Sequence, residues 1–234
     1  MKVSFSNNHK ETAKLMSNLS VIQTIAVYII PLIFAITLHE AAHAYAANKY
    51  GDNTAKMYGR LSLNPMVHIE PFGTIIFPLI SIVLGAMSGG LGFIFGWAKP
   101  VPINYSKLHN PKRDLLWVAL AGPLANLAMA LIWALILKAS FLLSSYFGVP
   151  LYLMAQAGIS INVSLFILNL LPVLPLDGGR ILFSLLPIKQ AQSYAKTEQY
   201  GMWILMALLL LGGLNLIMRP FYSAIMNIIF SLLN

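Results

Sequence analysis

Apolar residues in this chain run in long blocks, without the stripes of an amphipathic helix or the alternation of a half-buried strand. The first block extends from about Val21 to Ala47. At 1.5 Å per residue it is roughly 40 Å long, enough to cross a bilayer with its last turns outside the hydrocarbon. Pro31 lies within it and marks a place for a kink. The polar stretch 48–70 follows. Its segment Thr54–Asn64, TAKMYGRLSLN, alternates loosely about Gly59 and predicts a small hairpin or an isolated strand. Residues 71–98 are apolar but broken by Pro71, Gly73, Pro78, Gly85, Gly89, Gly90, Gly92 and Gly96. After a basic stretch at 99–114, firmer helices are expected at about 114–143 and at 151–171, the latter ending at Pro172. A second polar stretch, 177–200, precedes a last apolar region at 201–234, interrupted by Arg219-Pro220.

The pattern predicts an all-α polytopic membrane protein. It divides into a polar N-terminal tail (1–20), a membrane-embedded core (21–200) and a C-terminal transmembrane region (201–234). The tail does not read as a secretory signal, because no small-residue cleavage site follows the apolar run. No polar segment approaches the size of a soluble domain.

Composition sharpens this picture. Only 9% of residues are charged, against about 25% in an ordinary soluble domain. Windows 15–39, 71–98, 115–137, 139–176 and 199–218 hold no charge at all and make up more than half the chain. A soluble enzyme, a disordered chain and a disulfide scaffold are excluded. With no cysteine, thiolate chemistry is excluded too. The net charge of +8 fits cytoplasmic loops of a membrane protein better than nucleic-acid binding.

Against that background a few polar residues stand out. His39-Glu40-Ala41-Ala42-His43 is an HExxH motif on a helix. Residues four apart share a helix face, so both imidazoles can reach one ion, and Glu40 can reach a water beside it. Glu40 is the only charge between Lys14 and Lys49. An acid at the bilayer centre costs about 2.5–3.5 kcal/mol, so such residues are functional by default. A catalytic zinc takes three protein ligands. The other histidines, His9, His68 and His109, lie in polar segments, and Asp177 is the better third ligand. It is the first charge after a long uncharged run and follows irregular Pro/Gly-rich backbone, which at membrane depth must be buried or line a cavity. The competing reading pairs Asp177 with Arg180 as an interfacial ion pair.

HExxH on an early span followed by NxxPxxxxDG on a later one (Asn169, Pro172, Asp177, Gly178) resembles the site-2 protease family of intramembrane zinc metalloproteases. The stretches GRLSLNPMVHIEPFGT (59–74), GWAKPVPIN (96–104) and GPLAN (122–126) resemble its compact branch, without PDZ-like or nucleotide-binding regulatory modules. The resemblance implies a core of three transmembrane helices carrying HExxH, GPxxN and NxxPxxxxDG. It also implies one Zn2+ held by His39, His43 and Asp177, with Glu40 as general base. Asn126 is similar to the family's polar residue on the middle core helix. It reads either as a donor to the oxyanion or as a helix–helix hydrogen bond. Asn169 would orient Asp177, hold substrate backbone or simply stabilise its turn. His68 is either a functional residue of its stretch or a surface histidine.

The expected activity is hydrolysis of peptide bonds within or beside transmembrane segments of other proteins. The expected partners are a transmembrane protein substrate and the lipid bilayer, without nucleic acid; a homo-oligomer is left open. The rival reading is a secondary transporter or channel with a midplane polar or metal site. It lacks an internal repeat or a second acidic relay to support it. Both metal motifs lie at C-terminal ends of apolar segments and must meet at one depth. An odd number of full crossings therefore separates the first and fourth apolar segments. The alternative, in which 71–98 crosses fully, puts the N-terminus inside and leaves the two metal motifs on opposite faces unless the first helix is itself irregular. Broken 71–98 is the better choice for a re-entrant segment. Segments 48–114 and 177–200 then share one side. Their excess of Lys and Arg makes that side cytoplasmic, in a prokaryotic inner membrane, with the active site near it. Trp97, Trp117 and Trp203 flank apolar runs as interfacial anchors.

Overall fold

The computed structural model describes residues 19–87 and 98–233. The polar tail with His9, Trp97, and the course of 88–97 lie outside the described residues. Nine α-helices occur among the described residues: α1 (Val21–Lys49), α2 (Thr54–Met57), α3 (Phe77–Met87), α4 (Pro111–Ser140), α5 (Ser145–Asn169), α6 (Asp177–Leu185), α7 (Ile188–Ala195), α8 (Glu198–Leu210) and α9 (Gly213–Leu233). Short 3-10 turns at Pro65–Val67 and Tyr105–Lys107 and a π-helical turn at Pro71–Ile76 complete the list. Four helices, α1, α4, α5 and α9, are long and apolar enough to cross a membrane.

α1 starts at a capping box, in which Ser20 Oγ accepts from Gln23 N–H and Gln23 Oε1 accepts from Ser20 N–H. Its end is a Schellman turn. Gly51, at φ +107, lets Asp52 N–H reach Ala47 O at 2.9 Å.

The segment Thr54–Asn64 differs from the expected strand, and no strand occurs among the described residues. Thr54–Met57 is one helical turn. Gly59, at φ +67, closes it with a second Schellman pair, Gly59 N–H to Lys56 O and Arg60 N–H to Ala55 O. The glycine in the alternating pattern is thus a helix stop, and the apolar positions around it owe nothing to a sheet face.

α4 begins at Pro111, a favoured first helical position. α5 begins at Ser145, earlier than expected, and carries Pro150 in its second turn. The polar stretch 177–200 folds into the short helices α6 and α7 and the start of α8.

α4 and α5 form the most extensive helix pair, and α1 packs on both. In a bilayer such packing rests on close contact of small residues. Ala130, Ala134, Ala155 and Ala157 are buried at these contacts. A Cβ on Gly158 would overlap the ring of Trp133, so glycine there admits the indole. α9 adds a stripe of Leu214, Met218, Met226, Ile229 and Leu233 to the same core. Leu131, Ile132 and Leu135 on α4 face outward, as lipid contact requires. Trp117 and Trp203 are exposed.

The stretch between α1 and α4 begins and ends at one place. Lys99 N–H donates to His68 O at 3.0 Å, and Asn104 N–H donates to Asp52 Oδ2 at 2.6 Å. The two ends of 69–98 therefore meet.

Candidate metal centre

HExxH lies in the last three turns of α1, and Asp177 opens α6 just past the end of α5. Nε2 of His39 and Nε2 of His43 are 3.1 Å apart. Each is 3.2 Å from Oδ2 of Asp177. All three side chains are largely buried.

The outer nitrogens decide what the inner ones carry. His43 Nδ1 faces the carbonyl of Val118 at 2.7 Å. A carbonyl only accepts, so Nδ1 holds a proton, and in the neutral ring Nε2 presents a lone pair. His39 Nδ1 faces Asn126 Oδ1 at 2.6 Å. The Asn126 amide nitrogen donates to Ala35 O at 3.1 Å and to Asn162 Oδ1 at 3.0 Å. Its oxygen is therefore the acceptor, and the neutral His39 ring likewise presents Nε2 as a lone pair.

With both rings neutral, two imidazole lone pairs and a carboxylate oxygen converge on one point. Oδ2 of Asp177 is buried and accepts no hydrogen bond among the described residues. Such a triangle calls for a positive charge at its centre, a proton or a metal ion. Zinc bonds of 2.0–2.1 Å in tetrahedral array set ligand atoms roughly 3.3 Å apart, close to the observed edges. Two nitrogens and one carboxylate oxygen are also the donor set of a catalytic zinc site.

Space for the centre comes from α4. A Cβ at Gly122 would lie 2.7 Å from Nε2 of His39 and closer still to Nε2 of His43. Asp177 is aimed by its loop, where Cβ atoms on Gly178 or Gly179 would strike the backbone of Leu170–Leu174. Arg180 does not pair with Asp177. It pairs with Glu198 at 3.2 Å and lies over the ring of Tyr105, 5.1 Å from its centroid.

The remaining sequence candidates fall into different places. Glu40 is half-buried, and its Oε2 accepts from Val101 N–H at 2.8 Å. Asn126 is fully buried with both amide hydrogens directed at Ala35 and Asn162. Asn169 donates to Leu165 O one turn back in its own helix. His68 is 1% exposed, not a surface residue, and Nε2–H donates to Ser62 O at 2.9 Å. His109 is exposed, in the loop before α4.

Four further residues escaped sequence reasoning. Asn162 extends the chain His39–Asn126 across to α5 and donates to Gly158 O. An amide in the middle of an uncharged helix was the available signal. Gly122 stood in view within GPLAN. Asp52 and Val101 matter through contacts 50 to 60 residues away in sequence, which no local pattern reveals.

Comparison with known proteins agrees with this geometry. A model of peptidase family M50 matches residues 27–212. YwhC of Bacillus subtilis is 36% identical over 204 residues, covering 84% of this chain and 85% of its own. Rip2 of Mycolicibacterium smegmatis is 31% identical over 188 residues, covering 78% of this chain and 66% of its own. Both are named as candidate zinc metalloproteases. No solved structure matches the chain. A chain with four helices able to span a bilayer, a metal triangle of His39, His43 and Asp177, and these relatives belongs to peptidase family M50, the site-2 proteases, and is an integral-membrane zinc metallopeptidase.

Proposed function

We propose that the chain cuts peptide bonds within or next to transmembrane segments of other membrane proteins, with Glu40 as general base. The observation that carries this reading is the lone-pair triangle of His39, His43 and Asp177 at the ends of membrane spans, with Glu40 next to His39 in sequence. Zinc bound there supplies a Lewis acid that polarises the scissile carbonyl and makes a water acidic near neutral pH.

The chain's own residues do the rest. Val118 O and Asn126 Oδ1 hold the two imidazoles in the tautomer that presents Nε2 inward. Glu40 takes the water's proton and passes it to the leaving amine. Its Oε1 accepts no hydrogen bond among the described residues, which leaves that oxygen for the proton. Asn126 acts as the partner that orients His39. Its amide hydrogens are directed at Ala35 O and Asn162 Oδ1, which supports this role over that of an oxyanion donor. Asn169, bonded within its own turn, supports the loop that carries Asp177.

A substrate helix hides its carbonyls in i→i−4 bonds and must unwind to be cut. Helix-breaking residues near the cut should therefore speed cleavage. The side of the membrane follows from charge. His43 and Asp177 share a side with 48–70, 98–110 and 177–200, where Lys and Arg concentrate. On that count the active site lies near the cytoplasmic face of a prokaryotic inner membrane. The test is cleavage of a single-span reporter by the purified, zinc-loaded protein. The expected result is cutting that accelerates when Gly, Pro or Asn is placed near the cut. A reporter left whole, or cut at a rate indifferent to those residues, would count against this reading.

A further inference from the structure

The stretches 59–74 and 98–104 lie outside the metal triangle, yet the second reaches Glu40 and the first holds the second. Residues 98–104 read AKPVPIN and form no helix. Pro100 and Pro102 have no N–H, and each biases the residue before it towards extended backbone. Val101 therefore carries the one backbone donor of 100–102, and that N–H is bonded to Glu40 Oε2 at 2.8 Å.

The segment is fixed on its other edge by 59–74. Arg60 Nη1 donates to both Lys99 O and Pro100 O at 3.2 Å. His68 O accepts Lys99 N–H at 3.0 Å. The His68 ring is buried and donates to Ser62 O, which closes the loop 62–68. Asp52 anchors the far end through Asn104 N–H. The Val101 side chain is buried beside Ala44 and Ala55, so the N–H is delivered from a packed position.

We propose that the Val101 N–H, held in place by Arg60 and His68, positions the Glu40 carboxylate for proton transfer. It fixes one oxygen and leaves the other turned to the reacting water. Arg60, His68 and Val101 are positioning residues in this account, and none touches substrate. The proposal rests on the reading of Glu40 as general base. A base moved by about 1 Å can cost on the order of 10²-fold in rate, so one backbone hydrogen bond is enough to matter.

The test compares Val101→Pro, which deletes the N–H, with Val101→Ala, which keeps it. Both are made in the full chain and in a Glu40→Asp background, whose shorter carboxylate cannot keep the bond. Zinc per chain, kcat and KM on the single-span reporter are measured for each. Val101→Pro should hold zinc and KM near wild type and lose about 10- to 100-fold in kcat. Val101→Ala should keep kcat within about threefold. In the Glu40→Asp background, Val101→Pro should cost nothing further, since losses routed through one group do not add.

A merely structural role would make the losses additive, and that result overturns the proposal. So does a wild-type kcat in Val101→Pro, or an equal loss in Val101→Ala. If Val101→Pro sheds zinc, Arg60→Ala decides. A fall in kcat with zinc retained supports the proposal, while an unchanged kcat or loss of zinc there as well overturns it. Glu40→Gln run alongside separates the two readings. If it retains activity, the general-base reading fails. If it is inactive while Val101→Pro is normal, only the positioning role fails.

Discussion

His39 Nδ1 lies 2.6 Å from Asn126 Oδ1, a hydrogen bond from the first span to the second inside the protein core. The bond sets the tautomer of a metal ligand, and Asn126 is in turn held by Ala35 O and Asn162. A polar contact between membrane helices is worth about 0.6 kcal/mol on average. Its larger effect here is on the metal. Asn126→Ala should weaken zinc binding by about 10- to 100-fold, read by titration with a competing chelator. An oxyanion donor at this position would behave differently. Its loss would leave zinc affinity intact and cost about 10²–10³ in rate.

Gly122 offers a test of the centre's shape. Alanine is the better helix former by about 1 kcal/mol, so Gly122→Ala should favour α4 locally. Its Cβ would nonetheless occupy the space of the two Nε2 atoms. The expected outcome is a folded, membrane-inserted protein with well under one zinc per chain, measured by elemental analysis. Full zinc occupancy at wild-type affinity would show that the histidines have another place to go.

The sequence made the centre legible wherever the chemistry was local. HExxH works because four residues return a helix to the same face, and Asp177 stood out as a lone charge after a long apolar run. The all-helical membrane architecture followed from charge gaps, and the parity of crossings favoured a re-entrant 71–98. Lys99 N–H meets His68 O in the structure. Asn162 and Gly122 were not legible as functional, because their roles exist only where three helices meet. The misread segment was Thr54–Asn64. A helical turn of four residues is too short to display its period, and Gly59 as a Schellman stop looks the same in sequence as a glycine in a hairpin.

Asp52 gives the protein an acid-sensitive joint outside the spans. Burial opposes its ionisation, but bonds from Thr54 and Asn104 and the nearby Lys107 outweigh burial and hold its pKa below the ordinary carboxylate value. A carboxylate with a lowered folded-state pKa stabilises the fold fully above its unfolded value of about 3.9. That stabilisation is lost as pH falls from there through the lowered folded value. Asp52→Asn should therefore be less stable than wild type at pH 7, with the gap closing below about pH 4. Thermal unfolding in detergent across pH 3–7 reads this directly. A gap independent of pH would remove Asp52 ionisation from the account.

Topology can be tested in a chain that has no cysteine of its own. Lys107 Nζ is 3.4 Å from Thr54 Oγ1, which puts the loops after α1 and before α4 on one side. Single cysteines at Lys56 and Lys107 should be labelled by an impermeant reagent from the same side. A cysteine at Lys138, at the other end of α4, should be labelled from the opposite side. Labelling of Lys56 and Lys107 from different sides would contradict a re-entrant 71–98.

The measurement that bears most directly on the central claim is zinc content and reporter cleavage for Glu40→Gln in one preparation. Glutamine keeps the shape and cannot take a proton. The account predicts about one zinc per chain, as in wild type, with cleavage reduced by at least the 10²–10⁴-fold that general acid–base catalysis contributes. A zinc-loaded Glu40→Gln protein that cuts the reporter at the wild-type rate would contradict it.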